Sequence, residues 1–269
     1  AMIAALVRNI PQANQSIKGG KWERKAFIGR ELYGKSLGII GFGRIGSELA
    51  IRARAFGMKL YVYDPFLTTT RAKQLGVTAN SLDEVLEHAD IITVHTPLTK
   101  DTKGLLGFEN IEKTKRGVFL INCARGGIID EEALYHFLQK GHVAGAAFDV
   151  FENEPPGDHP LLSLDNFIAT PHIAASTKEA QLNVAAQVSE QVLHFLNGEP
   201  IKNSINLPTM SDELFQKIKP YYRLSKTMGS ILSQCMNIPV QEIHVTYAGD
   251  ITNLETTVIT RSLLAGFLS

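Results

Sequence analysis

A glycine-rich turn that joins a strand to a helix constrains the fold of this chain more than any other feature. The turn, GFGRIG at residues 41–46, follows the apolar run 36–40 and precedes a helical pattern that ends at Gly57. A second strand pattern, residues 59–63, comes next and ends in Asp64. A GxGxxG pattern alone is a weak signal, but this order of strand, turn, helix, strand and acidic residue is typical of a dinucleotide-binding unit.

Each glycine of the turn has a physical role in such a unit. Gly41 permits the tight turn, Gly43 lets the backbone approach a pyrophosphate, and Gly46 lets the helix pack closely on the strand. The free N–H groups at the helix N-terminus then face the phosphates. Asp64 can accept hydrogen bonds from both ribose hydroxyls and would repel a 2′-phosphate, so the pattern predicts NAD rather than NADP. The alternative is a glycine-rich turn in another kind of α/β protein.

Strand and helix patterns alternate through the first part of the chain. The sequence predicts a short strand at Val77, and apolar runs predict further strands over residues 91–95, 117–122, 143–148 and 167–169. Ser81 and Glu84 have the spacing of a capping box, and Asp130 is expected to cap a helix over residues 131–139. The alternation predicts an α/β fold in which a doubly wound parallel sheet is covered by helices on both faces.

Helical patterns precede and follow this alternation. Apolar residues at helical spacing predict a helix over residues 1–10 that ends before Pro11. Residues 176–197 predict the longest helix of the chain.

A domain boundary is expected at residues 203–208. It separates an NAD-binding catalytic domain, residues 1–207 with a return segment near 198–207, from a second domain, residues 208–269. In the second domain we expect a helix over residues 212–236 that is disturbed at Pro220, and a strand over residues 243–247. These elements predict the start of a smaller α+β domain.

Charge and cysteine content exclude several classes of function. The 27 basic and 27 acidic residues give no net charge, which does not favour nucleic acid or an anionic membrane as a partner. Cys123 and Cys235 lie far apart and form neither a disulfide framework nor a metal-ligand cluster, as is typical of a reducing compartment. No apolar run is long enough to span a bilayer. We therefore expect a cytoplasmic enzyme without a metal.

The chemistry of the chain is expected at the carboxyl ends of the strands, where open α/β sheets bind their ligands. Arg125 can hold a substrate carboxylate, His172 can exchange a hydroxyl proton, and Glu154 can orient His172. These are the groups that a hydroxyacid dehydrogenase needs. The residues at the strand ends are Asp64, Thr96, Cys123, Ala124, Arg125, Asp149, Glu152, Glu154 and His172.

Each candidate also has a structural alternative. Arg125 can pair with a neighbouring acid, Glu154 can be a solvated loop residue, and His172 can form hydrogen bonds within a turn. Cys123 is interpreted as a small residue that lines the pocket rather than a nucleophile, since no basic partner is evident. His95 is interpreted as a hydrogen-bonding residue at the end of a strand.

Three segments taken together resemble the signatures of the D-isomer-specific 2-hydroxyacid dehydrogenases. They are NCARGG at residues 122–127, DVFENEPP at residues 149–156 and TPHIAAST at residues 170–177. The resemblance extends from Ala1 to about Leu207 and implies that Arg125, Glu154 and His172 are catalytic. Glu154, in place of a glutamine, argues against the formate dehydrogenases of this family. The glycine-rich turn and the resemblance together imply NAD contacts at Gly41, Gly43, Arg44, Ile45, Gly46, Asp64, Thr96, Cys123, Ala124, Arg125, Asp149, His172, Ile173, Ala174 and Ala175.

Two further segments resemble the family members that oxidise a phosphorylated 2-hydroxy acid. The loop at residues 20–27, GKWERKAF, resembles a loop whose basic residue approaches the substrate phosphate from the partner subunit, which implies this role for Arg24. The tail after Leu207 resembles the start of the intervening domain of the longer members. The first helix and the Trp22 loop correspond to the family's dimer contact, so a homodimer or higher homo-oligomer is expected.

The chain lacks other parts that the resemblance implies. The family's N-terminal substrate domain and a terminal regulatory domain are absent from the sequence, so we expect a fragment of low turnover. One alternative is a reductase of unphosphorylated keto acids such as glyoxylate or hydroxypyruvate. Another is an NAD-sensing transcriptional corepressor of the same fold, although the tail after Leu207 argues against it.

Overall fold

The computed structural model describes residues 1–197, 199, 212–236, 240–254 and 256–268. The chain forms two compact units, Ala1–Thr177 and Lys178–Ser269. The predicted boundary at residues 203–208 lies outside the described residues.

The first unit contains a six-stranded sheet in which every pair of neighbours is parallel. The strand order is β2-β1-β3-β4-β5-β6. Because β1 lies between β2 and β3, the connection after β1 leads to one side of this strand and the connection after β2 leads to its other side. This reversal creates a topological switch point beyond the ends of β1 and β3. The strands are β1 (Ser36–Ile40), β2 (Lys59–Tyr63), β3 (Ile91–Val94), β4 (Val118–Asn122), β5 (Val143–Phe148) and β6 (Phe167–Ala169).

Helices cover both faces of this sheet, as the alternating patterns predict. The helices of the first unit are α1 (Met2–Val7), α2 (Ile10–Lys18), α3 (Arg44–Ala55), α4 (Thr69–Gln74), α5 (Leu82–His88), α6 (Phe108–Glu112) and α7 (Glu131–Gln139). Leu6 of α1 and Ala50 of α3 pack in the apolar core on one face. Leu86 of α5 and Leu134 of α7 pack in the core on the other. The doubly wound parallel sheet is therefore confirmed.

Helix boundaries follow the predicted caps in two places. Ser81 and Glu84 form a complete capping box at the start of α5. The Asp130 side chain accepts the N–H of Ala133 at 2.8 Å and caps α7. This cap fixes where the loop after β4 ends.

Three local predictions in this unit were wrong or incomplete. The N-terminal helix breaks at Asn9, which has a left-handed φ of 52°, and a second helix continues through Pro11. Proline fits there because the first turn of a helix needs no N–H donor. Val77 forms no strand; one isolated bridge joins Val62 to Ala79 instead. Helix α6 was not predicted.

The described part of the second unit consists mainly of helices, and residues 240–248 form neither helix nor strand. It contains α8 (Lys178–Leu196), α9 (Asp212–Cys235) and α10 (Thr256–Phe267). Helices α9 and α10 pack closely at Gly229. A Cβ at this position would lie 2.0 Å from the carbonyl oxygen of Leu263, so the close approach requires glycine.

Two predictions for this unit were wrong. Among the described residues, the longest helix is α9 rather than the helix predicted over residues 176–197. Pro220 lies inside α9, as the sequence predicts. The strand predicted over residues 243–247 does not form. Among the described residues, no helix combines the length and apolar character needed to cross a membrane.

Candidate active site

The glycine-rich turn joins β1 to α3 at the carboxyl edge of the sheet. Gly41 has a φ of +92°, and a Cβ there would lie 2.7 Å from the carbonyl group of His95. A Cβ at Gly46 would lie 2.2 Å from the carbonyl oxygen of Gly41. A Cβ at Gly43 would meet nothing within 4 Å among the described residues, apart from its neighbours in the chain. Packing within the chain therefore explains Gly41 and Gly46, whereas Gly43 leaves open space at the N-terminus of α3.

This open space fits the pyrophosphate of a dinucleotide. Helix α3 has 12 residues, and its first N–H groups and positive dipole end face the space beside Gly43. Arg44 and Ile45 begin the helix on the surface, and Ile45 is 68% exposed. An exposed apolar side chain at this position can cover a flat ligand ring.

Asp64 lies directly after β2, beside the turn. Its Oδ2 accepts the backbone N–H of Phe42 at 2.7 Å, and its Oδ1 accepts the backbone N–H of Phe66 at 2.8 Å. These bonds fix the orientation of the carboxylate. Each oxygen keeps a further lone pair that can accept a ribose hydroxyl.

A cleft of about 540 Å³ adjoins the turn at the ends of β3 and β4. Its walls include Ile45, His95, Thr96, Pro97, Leu98, Cys123, Ala124 and Arg125. The Oγ1 atom of Thr96 is buried and has no hydrogen-bond partner among the described residues. A buried hydroxyl without a partner costs free energy, so a polar group of a bound ligand would stabilise this wall. The open space at Gly43 and the unsatisfied Thr96 thus both fit a bound dinucleotide.

Two titratable groups in this cleft are held in their neutral forms. Burial, together with the nearby Asp149 carboxylate, raises the pKa of the Cys123 thiol to about 11. A protonated thiol is a poor nucleophile, which supports the interpretation of Cys123 as a pocket-lining residue. Burial lowers the pKa of His95 to about 4, and its Nε2 lies 3.0 Å from Thr93 Oγ1. His95 is therefore the hydrogen-bonding residue at a strand end that the sequence predicts.

Asn122, the last residue of β4, shapes the turn that carries Arg125. This fully buried side chain donates from Nδ2 to the carbonyl oxygen of Arg125 at 2.9 Å, and its Oδ1 accepts the N–H of Ala124 at 3.0 Å. The guanidinium of Arg125 donates to the Ala124 carbonyl at 2.6 Å and remains exposed. Sequence reasoning did not single out Asn122; the available signal was a polar residue at the end of an apolar strand.

His172 and Glu154 form a hydrogen-bonded pair. The distance from His172 Nδ1 to Glu154 Oε2 is 2.8 Å, and Glu154 Oε1 accepts the N–H of Phe151 at 3.0 Å. The hydrogen bond with His172 and the one from Phe151 lower the pKa of Glu154. Glu154 is therefore an ionised acceptor, which places the Nδ1 proton on His172 and leaves Nε2 to exchange a proton.

Asp149, at the end of β5, holds the turn that contains His172. Its buried carboxylate accepts the Thr170 hydroxyl, the N–H of Ile173 at 2.9 Å and the N–H of Ala174 at 2.8 Å. His172 itself has a left-handed φ of 54°, a conformation that a residue with a Cβ adopts only at a cost in free energy. The three hydrogen bonds stabilise the turn against this cost.

The predicted site residues do not all meet in one cavity. Glu154 and His172 line a cavity of about 500 Å³ that also contains Asp149, whereas Arg125 lines the cleft described above. Glu152 forms an ion pair with Lys103 at 3.2 Å on the surface. Arg24 lies in an exposed 3₁₀ turn, Arg24–Phe27. Within the described residues, no group of three or more His, Cys, Asp or Glu side chains could hold a metal ion.

These features define the class of the first unit. A parallel sheet with a switch point beside a glycine-rich turn, and an acidic residue after β2, make it a dinucleotide-binding domain of the Rossmann type. The histidine–carboxylate pair at the same edge is an arrangement used in general acid–base catalysis.

Comparison with known proteins agrees with this class. Residues 1–174 match the family described as "D-isomer specific 2-hydroxyacid dehydrogenase, NAD binding domain", and residues 217–269 match the "D-3-phosphoglycerate dehydrogenase intervening domain". The chain belongs to the D-isomer specific 2-hydroxyacid dehydrogenases. Its first unit contains their NAD-binding domain, so NAD is its cofactor.

Curated relatives and solved structures give the extent of the similarity. A D-3-phosphoglycerate dehydrogenase of Bacillus subtilis is 63% identical over 100% of this chain and 51% of its own length. The enzyme of the same name from Archaeoglobus fulgidus is 47% identical over 99% of the chain and 51% of its length. The chain thus spans about half the length of these relatives. A D-lactate dehydrogenase of Aquifex aeolicus, solved with NAD and lactic acid, is 35% identical with a TM-score of 0.67 over 74% of this chain and 64% of that one.

Proposed function

We propose that the protein that carries this chain is an NAD-dependent D-3-phosphoglycerate dehydrogenase, which oxidises D-3-phosphoglycerate to 3-phosphohydroxypyruvate in the first step of L-serine biosynthesis. The observation that carries this proposal is the match of residues 217–269 to the intervening domain named for that enzyme. The 63% identity to the Bacillus subtilis relative over the whole chain supports it.

We also propose the domain division that the sequence predicts, because the same matches are compatible with it. Residues 1–207 form the NAD-binding catalytic domain, and residues 208–269 belong to the intervening domain. The two matched segments, residues 1–174 and 217–269, lie on either side of the proposed boundary, which supports the division.

Arg125, His172 and Glu154 divide the proposed reaction between them. Arg125 holds the substrate carboxylate with its planar fork. His172 Nε2 takes the proton of the C2 hydroxyl as the C2–H bond breaks, and Glu154 orients the ring and stabilises its protonated form. When bound, the nicotinamide of NAD supplies the acceptor for the hydride.

The proposed NAD contacts follow the open space and the cleft. Gly43 and the first turn of α3 bind the pyrophosphate, and Asp64 binds the adenosine ribose. We assign Thr96, Cys123 and the other cleft residues to the nicotinamide half of the cofactor, together with Asp149 and residues 172–175. The orphaned Thr96 hydroxyl supports this placement.

We further infer that the protein is a homodimer or a higher homo-oligomer in the cytoplasm. Large apolar side chains are exposed on α2 and in the following loop: Ile10, Ile17 and Trp22 are 54%, 49% and 79% exposed. Such a surface fits an interface with a second copy of the chain. From this loop, Arg24 would reach the substrate phosphate of the partner subunit. Both cysteines are free, which fits a reducing compartment.

Substrate preference tests the proposed function. NADH oxidation by the full protein that carries this chain is measured with phosphohydroxypyruvate, hydroxypyruvate and glyoxylate. We expect strong preference for the phosphorylated keto acid, and an Arg24→Ala variant should lose that preference while it keeps activity on hydroxypyruvate. Equal use of the unphosphorylated acids would instead assign the protein to the reductases of this family. A solved glyoxylate reductase is 34% identical to this chain, with a TM-score of 0.68 over 72% of this chain and 58% of that one.

A further inference from the structure

Glu131 and His159 form a pair of titratable groups that the proposed mechanism does not use. Glu131 is the first residue of α7, and its side chain is 12% exposed. Its Oε2 lies 2.9 Å from Nε2 of His159, whose side chain is 20% exposed. Its Oε1 accepts the backbone N–H of Glu152 at 2.8 Å. Both carboxylate oxygens of Glu131 are thus bound, and one of them holds the loop after β5.

His159 is oriented from its other ring nitrogen. Nδ1 accepts the backbone N–H of Leu161 at 3.3 Å, so the neutral ring carries its proton on Nε2 and donates it to Glu131. The Phe151 ring packs beside the imidazole, with 5.7 Å between ring centroids. The Glu131 carboxylate is therefore held by a ring whose tautomer and position are fixed by its neighbours.

The Glu152 N–H lies within the turn that carries Glu154. That turn is closed by the hydrogen bond from the Phe151 N–H to Glu154 Oε1, while Glu154 Oε2 binds His172. A shift of the Phe151–Glu152 peptide would move the Phe151 donor and, with it, the carboxylate of Glu154. The hydrogen bond of Glu131 fixes this peptide from α7.

The same peptide also contacts the turn that carries Arg125. A Cβ at Gly126 would lie 1.9 Å from the carbonyl oxygen of Phe151 and 2.3 Å from the nitrogen of Glu152. The two loops therefore pack backbone against backbone. The Phe151–Glu152 peptide connects the loop of Arg125, the loop of Glu154 and, through Glu131, the start of α7.

We propose that Glu131 is a positioning residue for the dehydrogenase reaction. It fixes the Phe151–Glu152 peptide, so that Glu154 keeps its hydrogen bond with His172 beside the Arg125 loop. His159 holds the Glu131 carboxylate in place. This inference rests on the proposed function for its kinetic test. Its geometric part, the effect of Glu131 on the Glu154–His172 pair, is independent of the substrate.

Variants of Glu131 in the full protein test the proposal, with Glu132→Ala as the matched control. Glu132 is the next residue in the same helical turn and is exposed. Glu131→Ala removes both acceptors, whereas Glu131→Gln keeps an oxygen for the Glu152 N–H and turns an amide donor toward His159. We expect kcat to fall by about tenfold to a hundredfold in Glu131→Ala and by less in Glu131→Gln, with the affinity for NADH unchanged.

Two measurements separate positioning from a loss of folding. In Glu131→Ala, the acid limb of the pH–activity profile for keto-acid reduction, the direction in which His172 must be protonated, should move to higher pH, because a loosened hydrogen bond lets the pKa of Glu154 return toward its ordinary value. NMR of ¹⁵N-labelled histidine should show loss of the His172 Nδ1–H signal, which His172→Gln identifies. Glu132→Ala should change neither.

The outcomes distinguish this inference from the proposed function. A wild-type protein that reduces none of the keto acids would refute the function, and the NMR signal would still test the positioning role. An unchanged His172 signal in Glu131→Ala and Glu131→Gln, or a turnover that falls only in parallel with NADH affinity and thermal stability, would overturn the inference.

Discussion

Substitution of Gly43 by alanine should weaken cofactor binding and leave the stability of the fold nearly unchanged. Substitution of Gly46 by alanine should instead destabilise the fold. At Gly46 the new Cβ would lie 2.2 Å from the carbonyl oxygen of Gly41 and 3.3 Å from a methyl group of Ile39. An ordinary carbon–oxygen contact is about 3.3 Å, so the helix and the strand end must separate by about 1 Å. Overpacking of this kind costs about 1–3 kcal/mol, offset by at most about 1 kcal/mol of helix propensity.

At Gly43 the added methyl group enters open space. The residue has φ −74° and ψ −156°, which alanine can adopt, so the free energy of unfolding should change by less than about 1 kcal/mol. The same methyl group occupies the path of the pyrophosphate. Loss of one charge-assisted hydrogen bond, about 1.5–3 kcal/mol, corresponds to a roughly tenfold to 150-fold weaker affinity for NADH.

Thermal unfolding and NADH titration of the two variants provide the assay. Gly46→Ala should lower the melting temperature by several degrees, at about 2–4 °C per kcal/mol. Gly43→Ala should melt near the wild type and bind NADH weakly. If Gly43→Ala bound NADH as tightly as the wild type, the assignment of the open space to the pyrophosphate would be refuted.

Three further predictions concern individual side chains. Asp64→Ala should narrow the preference for NADH over NADPH, and an unaltered ratio of the two kcat/KM values would contradict the ribose role. With Cys235 replaced by serine, Cys123 should react with iodoacetamide at pH 8 about a hundredfold more slowly than a thiol of ordinary pKa 9.0, because its pKa is about 11; a rate like that of a free thiol would refute this. His172→Gln removes the contact that most lowers the pKa of Glu154, which should rise toward 4.5 in a ¹³C NMR titration. The wild-type carboxylate should therefore keep its charge to lower pH than the variant, and equal titration curves would be inconsistent with the hydrogen bond.

The strands and caps of the first unit were predictable because their signals are local. Buried parallel strands are continuous apolar runs, and β1, β4 and β5 could be located on that basis. The capping residues Ser81 and Asp130 also act within one helical turn. By contrast, Pro11 fits both the end of one helix and the first turn of the next, so the sequence did not reveal the break at Asn9.

Residue types alone were enough to propose the candidate site, but they could not reveal the hydrogen bonds that connect its residues. Arg125, Glu154 and His172 could be chosen as strand-end residues of suitable chemistry. The hydrogen bonds of Asp149 to residues more than 20 positions away depend on the path of the backbone, which residue types do not specify. Glu131 showed only as an acidic residue in the first turn of a helix, where such residues are common for electrostatic reasons.

The carboxylates at this edge of the sheet are held mainly by main-chain donors. Asp64 accepts two backbone N–H groups, Asp149 accepts two, and Glu131 and Glu154 accept one each. Every amino acid except proline supplies such a donor, so the side chains of the donor residues can drift while the site keeps its shape. The sequences of these loops can thus vary in evolution with little loss of function, provided that none of the six donor positions becomes proline. These positions are 42, 66, 151, 152, 173 and 174.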